Sequence, residues 1–272
     1  MKGILYGVGT GPGDPELLTL KALKIIKESD IIIIPSENPG NCASYRTVAE
    51  IWPRIAEKDL LCLTFPMTRD MEKRLVCCEK NADIIADVLS SGRQAAFLTI
   101  GDPSVYSTYG YIYKILRRRG YDARMISGVP SFCAAAAELG EILCEDTQNL
   151  EIIPFFAISP GEASGEPEDK FRDSSGSGSG IFSGRGTKVL MKPGKNYPLL
   201  KDLLRRSGRK SVMIENCGRE GERLYFRPAD FPDDIPYFSI IISKPADDPG
   251  TDRGRTAASI TEKTRNEVNS HE

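Results

Sequence analysis

Three turns that contain glycine hold the residue types most able to bind a ligand or move a proton. They run from Gly7 to Pro15, from Thr99 to Thr108 and from Ser127 to Ser131, each directly after an apolar run. Glycine permits a positive φ and lets the backbone approach a ligand closely. If the apolar runs are parallel strands, the turns meet at the edge of the sheet where such folds bind ligands. Each turn alone could equally be a tight connection without a ligand.

The first turn, GVGTGPGDP, does not match the dinucleotide fingerprint G-x-G-x-x-G. Counted from Gly7, the sixth position is Pro12, and counted from Gly9 it is Asp14. The carboxylate of Asp14 would also repel a pyrophosphate at the start of the following helix. The turn therefore argues against a nicotinamide oxidoreductase with a Rossmann site.

The second turn contains an acidic side chain, and both the second and the third turn contain a glycine that lets other groups approach the backbone closely. Gly101 lets the backbone come near a bound molecule, Asp102 supplies an acceptor or a base, and Pro103 sets the direction of the chain. Asp102 could instead only cap the turn. The third turn opens a helix of small residues, which allows close packing.

Composition disfavours several classes of protein. The chain has 272 residues, 40% of them hydrophobic, with a formal net charge of −2 and a pI of about 5.7, so it lacks the basic surface of a nucleic-acid-binding protein. Its longest hydrophobic run, Phe132 to Ala137, is far shorter than the roughly 20 residues that cross a bilayer. We therefore expect a cytoplasmic protein without nucleic-acid or membrane partners.

Histidine and cysteine usage limits the available chemistry. The only histidine, His271, stands one residue from the C-terminus, so no histidine triad and no metal site is expected. The seven cysteines form no CxxC pair and are expected to be reduced thiols; they are residues 42, 62, 77, 78, 133, 144 and 217.

Strand and helix patterns alternate through the first half of the chain, which predicts a parallel sheet with helices on both faces. The predicted strands are Ile4 to Val8, Ile31 to Ile34, Leu60 to Phe65, Ala95 to Ile100 and Ala123 to Ile126. The predicted helices start at Asp14, Ser44, Asp70, Tyr106 and Ser131. We assign residues 1–145 to this α/β domain.

The second half predicts a smaller α/β domain with a mixed sheet, over residues 146–244. Its predicted strands are Glu151 to Phe155, Lys188 to Met191, Ser211 to Glu215 and Tyr237 to Ser243, with a helix from Tyr197 to Arg205. Residues 157–186 are rich in glycine and serine and predict a mobile excursion. Residues 245–272 are polar, without apolar periodicity, and predict a disordered tail.

In this order and spacing, the motifs GVGTGPGDPELLTLKA, LTIGDPSVYST and SGVPSF resemble those of the S-adenosylmethionine-dependent tetrapyrrole (corrin/porphyrin) methyltransferases. Within that family, the segments PMTRD, GDPSVYSTY and MIENCGREGE are most similar to members that methylate carbon 20 in cobalamin synthesis. The resemblance implies two α/β domains of the tetrapyrrole methylase type. It also implies precorrin-2 or cobalt-factor II as substrate, and a homodimer.

The resemblance further implies that S-adenosylmethionine lies between the domains, held mainly by backbone groups. The positions that match its pocket in the first domain are Pro12, Ile100, Gly101, Asp102, Val105, Pro130 and Ser131. Met191 and Asn216 match positions in the second domain, although both could be ordinary strand-end packing. A sulfonium cofactor carries no phosphate, which agrees with turns that lack a P-loop lysine.

The implied reaction is in-line attack of an electron-rich macrocycle carbon on the methyl group, which depends chiefly on alignment. Loss of the C20 proton needs an acceptor, for which Asp102 is the first candidate, Tyr106 the second and water the alternative. The substrate bears many carboxylates, so cationic side chains near predicted loops are candidates to bind them, although each could be a solvated charge. These are Arg46, Arg69, Lys192, Lys195, Arg219 and Arg223.

Several other functions stay open at this point. A methyltransferase of the same fold could act at another tetrapyrrole carbon, or on RNA or protein. Residues 157–186 stand where the family has a helix, so a binding module that holds the cofactor without turnover is a further alternative.

Overall fold

A computed structural model describes residues 2–66, 68, 70–155, 181–182 and 184–246, and the chain divides into two compact units. The first unit is Met1–Ala134 and the second is Ala135–Glu272. Most of the predicted excursion, the predicted tail beyond residue 246, and Arg69 lie outside the described residues. The domain bounds 1–145 and 146–244 stay a prediction.

The first unit is built on a five-stranded parallel sheet, as the alternating pattern predicted. Its strands are β1 (Ile4–Gly9), β2 (Ile31–Ile34), β3 (Asp59–Cys62), β4 (Ala95–Thr99) and β5 (Asp122–Ile126). They lie in the order β3-β2-β4-β1-β5. In this register Val8 of β1 pairs with Leu98 on one side and with Ile126 on the other. The turns after β4, β1 and β5 therefore emerge side by side.

Helices cover both faces of this sheet because successive side chains of a strand point to opposite faces. The helices are α1 (Leu20–Glu28), α2 (Ala43–Ile51), α3 (Met71–Ser90), α4 (Tyr109–Arg118) and α5 (Ser131–Leu139). On one face, Leu5 and Phe97 belong to a buried cluster with residues of α3 and α4. On the other, Val8 and Leu98 belong to a cluster with residues of α1 and α2.

The first helical segment differs from its prediction because two caps follow each other. Asp14 accepts a hydrogen bond from the backbone N–H of Glu16 and caps only a short 3₁₀ helix, Pro15–Leu17. The Thr19 hydroxyl then accepts from the Ala22 N–H at 3.2 Å and caps α1. The prediction of one continuous helix from Asp14 was wrong.

Two further boundaries were predicted too wide. The strand expected to reach Phe65 ends at Cys62, where its neighbour β2 also ends and ladder pairing stops. The helix expected from Tyr106 begins at Tyr109, because Tyr106 has a φ of 46°, which does not fit a right-handed helix.

The second unit contains a mixed five-stranded sheet, as predicted. Its strands are β6 (Leu150–Pro154), β7 (Thr187–Met191), β8 (Lys210–Glu215), β9 (Arg223–Tyr225) and β10 (Ser239–Lys244), in the order β6-β7-β10-β8-β9. Only the β6 and β7 pair is parallel. Helix α6 (Tyr197–Arg206) buries Leu200 and Leu204 in a cluster with residues of β7, β8 and β10.

The sequence patterns did not predict β9, and they predicted that β10 begins at Tyr237, two residues before its observed start at Ser239. β9 has only three residues and forms by pairing with β8, so it carries little local signal. Tyr237 and Phe238 precede β10 and are exposed.

All seven cysteines are free thiols in the structure. Among the described residues, no helix combines the length and apolar character needed to cross a bilayer. Within that same part of the chain, no cluster of histidine, cysteine and acidic side chains is suited to hold a metal ion.

Candidate functional site

The turns after β1 and β4 are joined by backbone hydrogen bonds. The Gly101 N–H donates to the Gly11 carbonyl at 2.7 Å, and the Thr10 N–H donates to the Thr99 carbonyl at 2.9 Å. The Thr10 hydroxyl donates to the same Thr99 oxygen at 3.2 Å. Both Gly11 and Gly101 have positive φ values, 75° and 68°, which glycine adopts without steric cost.

The three turns also approach one another so closely that only glycine fits between them. A Cβ on Gly9 would lie 2.5 Å from the Gly101 oxygen and 2.6 Å from the Gly128 nitrogen. A Cβ on Gly128 would lie 2.2 Å from the Gly101 oxygen. The backbone of the three turns therefore forms one continuous surface at the carboxyl edge of the sheet.

Asp102 binds two of these turns with its carboxylate. The side chain is buried, with 8% of its surface exposed. Oδ1 accepts from the Ser104 N–H at 2.8 Å and from the Ser104 hydroxyl at 2.5 Å, and Oδ2 accepts from the Gly128 N–H at 3.1 Å. Both oxygens thus hold the turns in place. Its role as a proton acceptor stays a prediction.

Tyr106, the second candidate acceptor, is exposed on the same turn in a left-handed conformation, with a φ of 46°. This conformation is unusual for a bulky aromatic residue and is found mostly where the surrounding structure enforces it. Partial burial raises the pKa of the Tyr106 phenol. The hydroxyl is therefore neutral at physiological pH, which disfavours it as a strong base.

Residues that the sequence motifs did not single out hold the second turn in place. The Ser107 hydroxyl lies 2.9 Å from the Thr99 hydroxyl and accepts from the Tyr109 N–H at 3.1 Å. The Tyr109 ring fills the space beside Gly7, where a Cβ would lie 2.2 Å from its Cε1 atom. The Tyr109 hydroxyl donates to the Arg124 carbonyl at 2.6 Å. A buried tyrosine two residues after a serine gives little signal in a sequence.

The remaining first-unit candidates lie around the same surface. Pro12 is buried between Gly11 and Gly13, while Ile100 and Val105 are partly buried on either side of Asp102. A Cβ on Gly101 would have Ser131 N at 3.5 Å and Pro130 Cα at 3.9 Å as its nearest neighbours. All the pocket positions that the sequence suggested in this unit therefore lie on the three adjoining turns, and their role in a pocket stays a prediction.

In the second unit, Met191 and Asn216 lie at one edge of the sheet. β7 and β8 both pair antiparallel with β10, so their carboxyl ends share an edge. Met191 is the last residue of β7 and is 8% exposed. Asn216 follows β8 with a φ of 51°, and its N–H donates to the Phe238 carbonyl at 2.9 Å.

The loop that begins at Asn216 is ordered by its own polar groups. The Asn216 amide donates to the Gly221 carbonyl at 3.3 Å, and the Gly218 N–H donates to Glu222 Oε2 at 2.7 Å. The Arg219 N–H donates to the Asn216 carbonyl at 2.9 Å. Arg219 is therefore presented from a defined turn.

Glu215, the residue before this loop, carries a buried carboxyl group. Its side chain is only 4% exposed; Oε2 accepts from the Tyr225 hydroxyl at 3.3 Å, and Oε1 has no hydrogen-bond partner among the described residues. Burial, more than any other influence, raises the pKa of this carboxyl group.

The candidate cations do not form one group. Lys192 and Arg219 lie in loops at the β7 and β8 edge. Arg46 is exposed within α2, and Arg223 is exposed at the start of β9, next to the loop that follows β8. The helix at Arg46 is set by its buried neighbours Thr47 and Val48, and β9 forms by pairing with β8. The side chains of Arg69 and Lys195 lie outside the described residues.

The sequence model of one protein family, the tetrapyrrole (corrin/porphyrin) methylases, matches residues 4–230 of this chain. The match covers the three turns and the loop after β8. The chain belongs to this family. The family expected from the sequence motifs is thereby confirmed.

Two curated relatives of this tetrapyrrole methylase illustrate how far the likeness extends. A probable cobalt-precorrin-2 C(20)-methyltransferase of Methanocaldococcus jannaschii is 38% identical over 55% of this chain and 63% of its own length, less than two thirds. The cobalt-precorrin-2 C(20)-methyltransferase of Salmonella typhimurium is 29% identical over 89% of this chain and 96% of its own length.

Solved structures confirm the predicted fold. Uroporphyrin-III C-methyltransferase from Thermus thermophilus has a TM-score of 0.64 at 21% identity, covering 90% of this chain and 96% of that one. A structure of that enzyme complexed with S-adenosylhomocysteine has a TM-score of 0.59 at 20% identity, covering 89% and 97%. At these identities the likeness establishes the fold of this tetrapyrrole methylase.

Proposed function

We propose that this tetrapyrrole methylase transfers a methyl group from S-adenosylmethionine to C20 of precorrin-2 or of its cobalt-containing counterpart, cobalt-factor II, in cobalamin biosynthesis. The observation that carries the proposal is the surface formed by Gly9, Gly101 and Gly128 at the carboxyl ends of β1, β4 and β5. The names of the curated relatives support C20 as the methylated carbon.

The residues of the turns suit a cofactor that is neutral or positively charged and carries no phosphate. In the first unit, Ile100 and Val105 belong to the same turn as Gly101, backbone atoms of Val129, Pro130 and Ser131 lie beside Gly101, and the turns carry no phosphate-binding lysine. Asp14 at the start of the first helical segment disfavours a pyrophosphate. A Cβ at Gly9 or Gly128 would clash with the backbone of a neighbouring turn, so these glycines let the three turns pack against one another. These features support S-adenosylmethionine and disfavour NAD.

When bound, S-adenosylmethionine supplies an electrophilic methyl group attached to a positive sulfur. The task of the protein is then to hold that group and the attacking carbon in line, because proximity and orientation can supply much of the rate. The turns bind through main-chain groups, which need little rearrangement, and Asp102 keeps two of them in register through Ser104 and Gly128. We assign Asp102 to this positioning role, with proton acceptance as the alternative that the experiments below separate.

The cofactor contacts proposed in the second unit are Met191 and Asn216, at the ends of β7 and β8. Lys192 and Arg219 are the proposed contacts to substrate carboxylates, because both lie in turns at that same edge. Arg46 and Arg223 are weaker candidates, since each is an exposed charge within a regular element.

Cytoplasmic location and a homodimer are part of the proposal; the first rests on the composition of the chain and the second on the family resemblance. The net charge of −2 favours a small-molecule substrate over nucleic acid. Sedimentation velocity at several protein concentrations tests the dimer; a concentration-independent monomer would contradict it.

Product analysis tests the reaction. The protein is incubated anaerobically with precorrin-2 or cobalt-factor II and with S-adenosylmethionine labelled with ¹³C in the methyl group, and NMR then locates the label. We expect one labelled methyl at C20. Label at another carbon, such as C11, would keep the family and reject C20, and no transfer to either tetrapyrrole would reject the proposed function.

Thermal unfolding tests the cofactor separately from the reaction. A ligand that binds only the folded state raises the melting temperature by mass action. We expect S-adenosylhomocysteine to raise it and NAD at the same concentration to leave it unchanged. The reverse result would overturn the cofactor assignment.

A further inference from the structure

Tyr237 and Phe238 form an exposed aromatic pair at the edge of the second sheet where β7 and β8 end. Their ring centroids lie 5.1 Å apart at an interplanar angle of 82°. Tyr237 is 47% exposed and Phe238 is 36% exposed. No other aromatic side chain in the described part of the second unit is exposed. Exposed aromatic pairs that are fixed in place are common in binding surfaces.

A cation lies against each ring of this pair. The Arg219 guanidinium carbon is 3.9 Å from the centroid of the Phe238 ring, and Lys192 Nζ is 5.9 Å from the centroid of the Tyr237 ring. Both distances fall within the range of a cation–π contact. The four side chains therefore present flat apolar faces and positive charge together.

The backbone around this cluster is held in position before any ligand binds. The Phe238 carbonyl accepts from the Asn216 N–H at 2.9 Å, and the Ser239 hydroxyl donates to the Pro236 carbonyl at 2.7 Å. Lys192 and Asn216 both have left-handed backbone, with φ values of 53° and 51°. Such conformations in non-glycine residues persist only where surrounding contacts enforce them, and they concentrate at functional sites.

We propose that Tyr237, Phe238, Lys192 and Arg219 form the surface that binds the tetrapyrrole substrate. A conjugated ring system stacks on an aromatic face, and its peripheral carboxylates pair with ammonium and guanidinium groups. The cluster offers both kinds of contact, because each cation lies within about 6 Å of an aromatic ring. This inference rests on the proposed function and adds to it the aromatic pair, which sequence motifs did not indicate.

The test uses paired variants of the full chain. Tyr237→Leu/Phe238→Leu keeps most of the apolar volume and removes both rings, while the control Tyr121→Leu removes a ring that contacts Lys2 in the first unit. We expect the double variant to raise the KM for the tetrapyrrole about tenfold or more, and Tyr121→Leu to leave it unchanged. The affinity for S-adenosylhomocysteine, measured by calorimetry, should not change in either variant.

Charge is tested with a matched pair of lysine variants. Lys192→Met should raise the KM for the tetrapyrrole and reduce its dependence on salt. Lys27→Met is the control, because Lys27 Nζ lies 5.8 Å from the centroid of the Trp52 ring, a nearly equal cation–π distance on helix α1 of the first unit. We expect no change in the control.

Binding of uroporphyrin III, followed by its absorption spectrum, keeps this inference separable from the proposed reaction. If the wild-type protein methylates neither tetrapyrrole, the proposed function fails; the surface is still supported if the wild type binds uroporphyrin III and the double variant does not. An unchanged KM and unchanged uroporphyrin binding in the double variant would overturn the surface. A loss of S-adenosylhomocysteine affinity in that variant would also overturn it, since the aromatic pair would then belong to the cofactor site.

Discussion

Asp102 accepts a hydrogen bond from the backbone N–H of Gly128 at 3.1 Å, which joins the turn after β4 to the turn after β5. The contact spans 26 residues of sequence and is buried. Asp102, which the sequence motifs suggested as a base, thus connects two of the turns that are proposed to bind the cofactor.

The substitution Asp102→Asn should weaken S-adenosylhomocysteine binding about tenfold, the usual range for a lost buried bond to a charged acceptor. The asparagine NH₂ must face the N–H of either Ser104 or Gly128, so one of the two bonds is lost in either orientation. Calorimetry measures the affinity. Asp122→Asn is the control, because Asp122 pairs with Arg124 at the opposite end of β5. If affinity is unchanged while turnover falls about 10²-fold, proton acceptance is the role of Asp102.

The substitution Gly128→Ala should lower both the melting temperature and the affinity for S-adenosylhomocysteine. The added methyl would lie 2.2 Å from the Gly101 oxygen, so the turns must separate. Overpacking of this kind costs about 1–3 kcal/mol. Gly110→Ala in α4 is the matched control, because its Cβ would meet nothing within 4 Å. It should raise stability by roughly 0.5–1 kcal/mol through helix propensity. Equal effects of the two substitutions would contradict the close approach of the turns.

Substitutions at Tyr106 should separate stability from turnover. Asparagine tolerates the left-handed region better than tyrosine, so Tyr106→Asn should raise the unfolding free energy by up to about 1 kcal/mol. Turnover should fall, because the substitution removes the exposed aromatic ring from the turn that contains Asp102. Tyr106→Phe should keep most of the turnover, because the raised pKa keeps the phenol protonated and so without the basic phenolate oxygen. A large loss of turnover in the phenylalanine variant would instead assign the proton transfer to the hydroxyl.

Glu215 should make stability depend on pH in a predictable direction. Its pKa is raised by burial, so the folded state favours the protonated carboxyl group. This contribution is present below the unfolded-state pKa and is lost as pH rises through the raised folded-state pKa. Glu215→Gln cannot ionise, so its melting temperature relative to wild type should increase between about pH 4 and about pH 8. A constant difference across that range would show that the carboxyl group ionises without cost.

The architecture of the first unit followed from local patterns. Short apolar runs such as Ile31 to Ile34 alternate with segments of helical periodicity, and burial on both sides explains why these runs are uniformly apolar. The three glycine turns could be located for the same reason, because strand ends and helix starts bracket them. Boundaries such as Cys62 could not be predicted, since they depend on where the neighbouring strand stops.

The sequence motifs also located the residues proposed for the cofactor surface, from Pro12 through Gly101 to Ser131, because each motif directly follows a strand. Only the tertiary structure decided what those residues do to one another. Whether the Asp102 carboxylate is free or bonded to Gly128 depends on atoms far apart in the chain. The pairing of Phe238 with Arg219 and of Tyr237 with Lys192 is likewise invisible locally, because loops and strands distant in sequence place these side chains within a few ångströms.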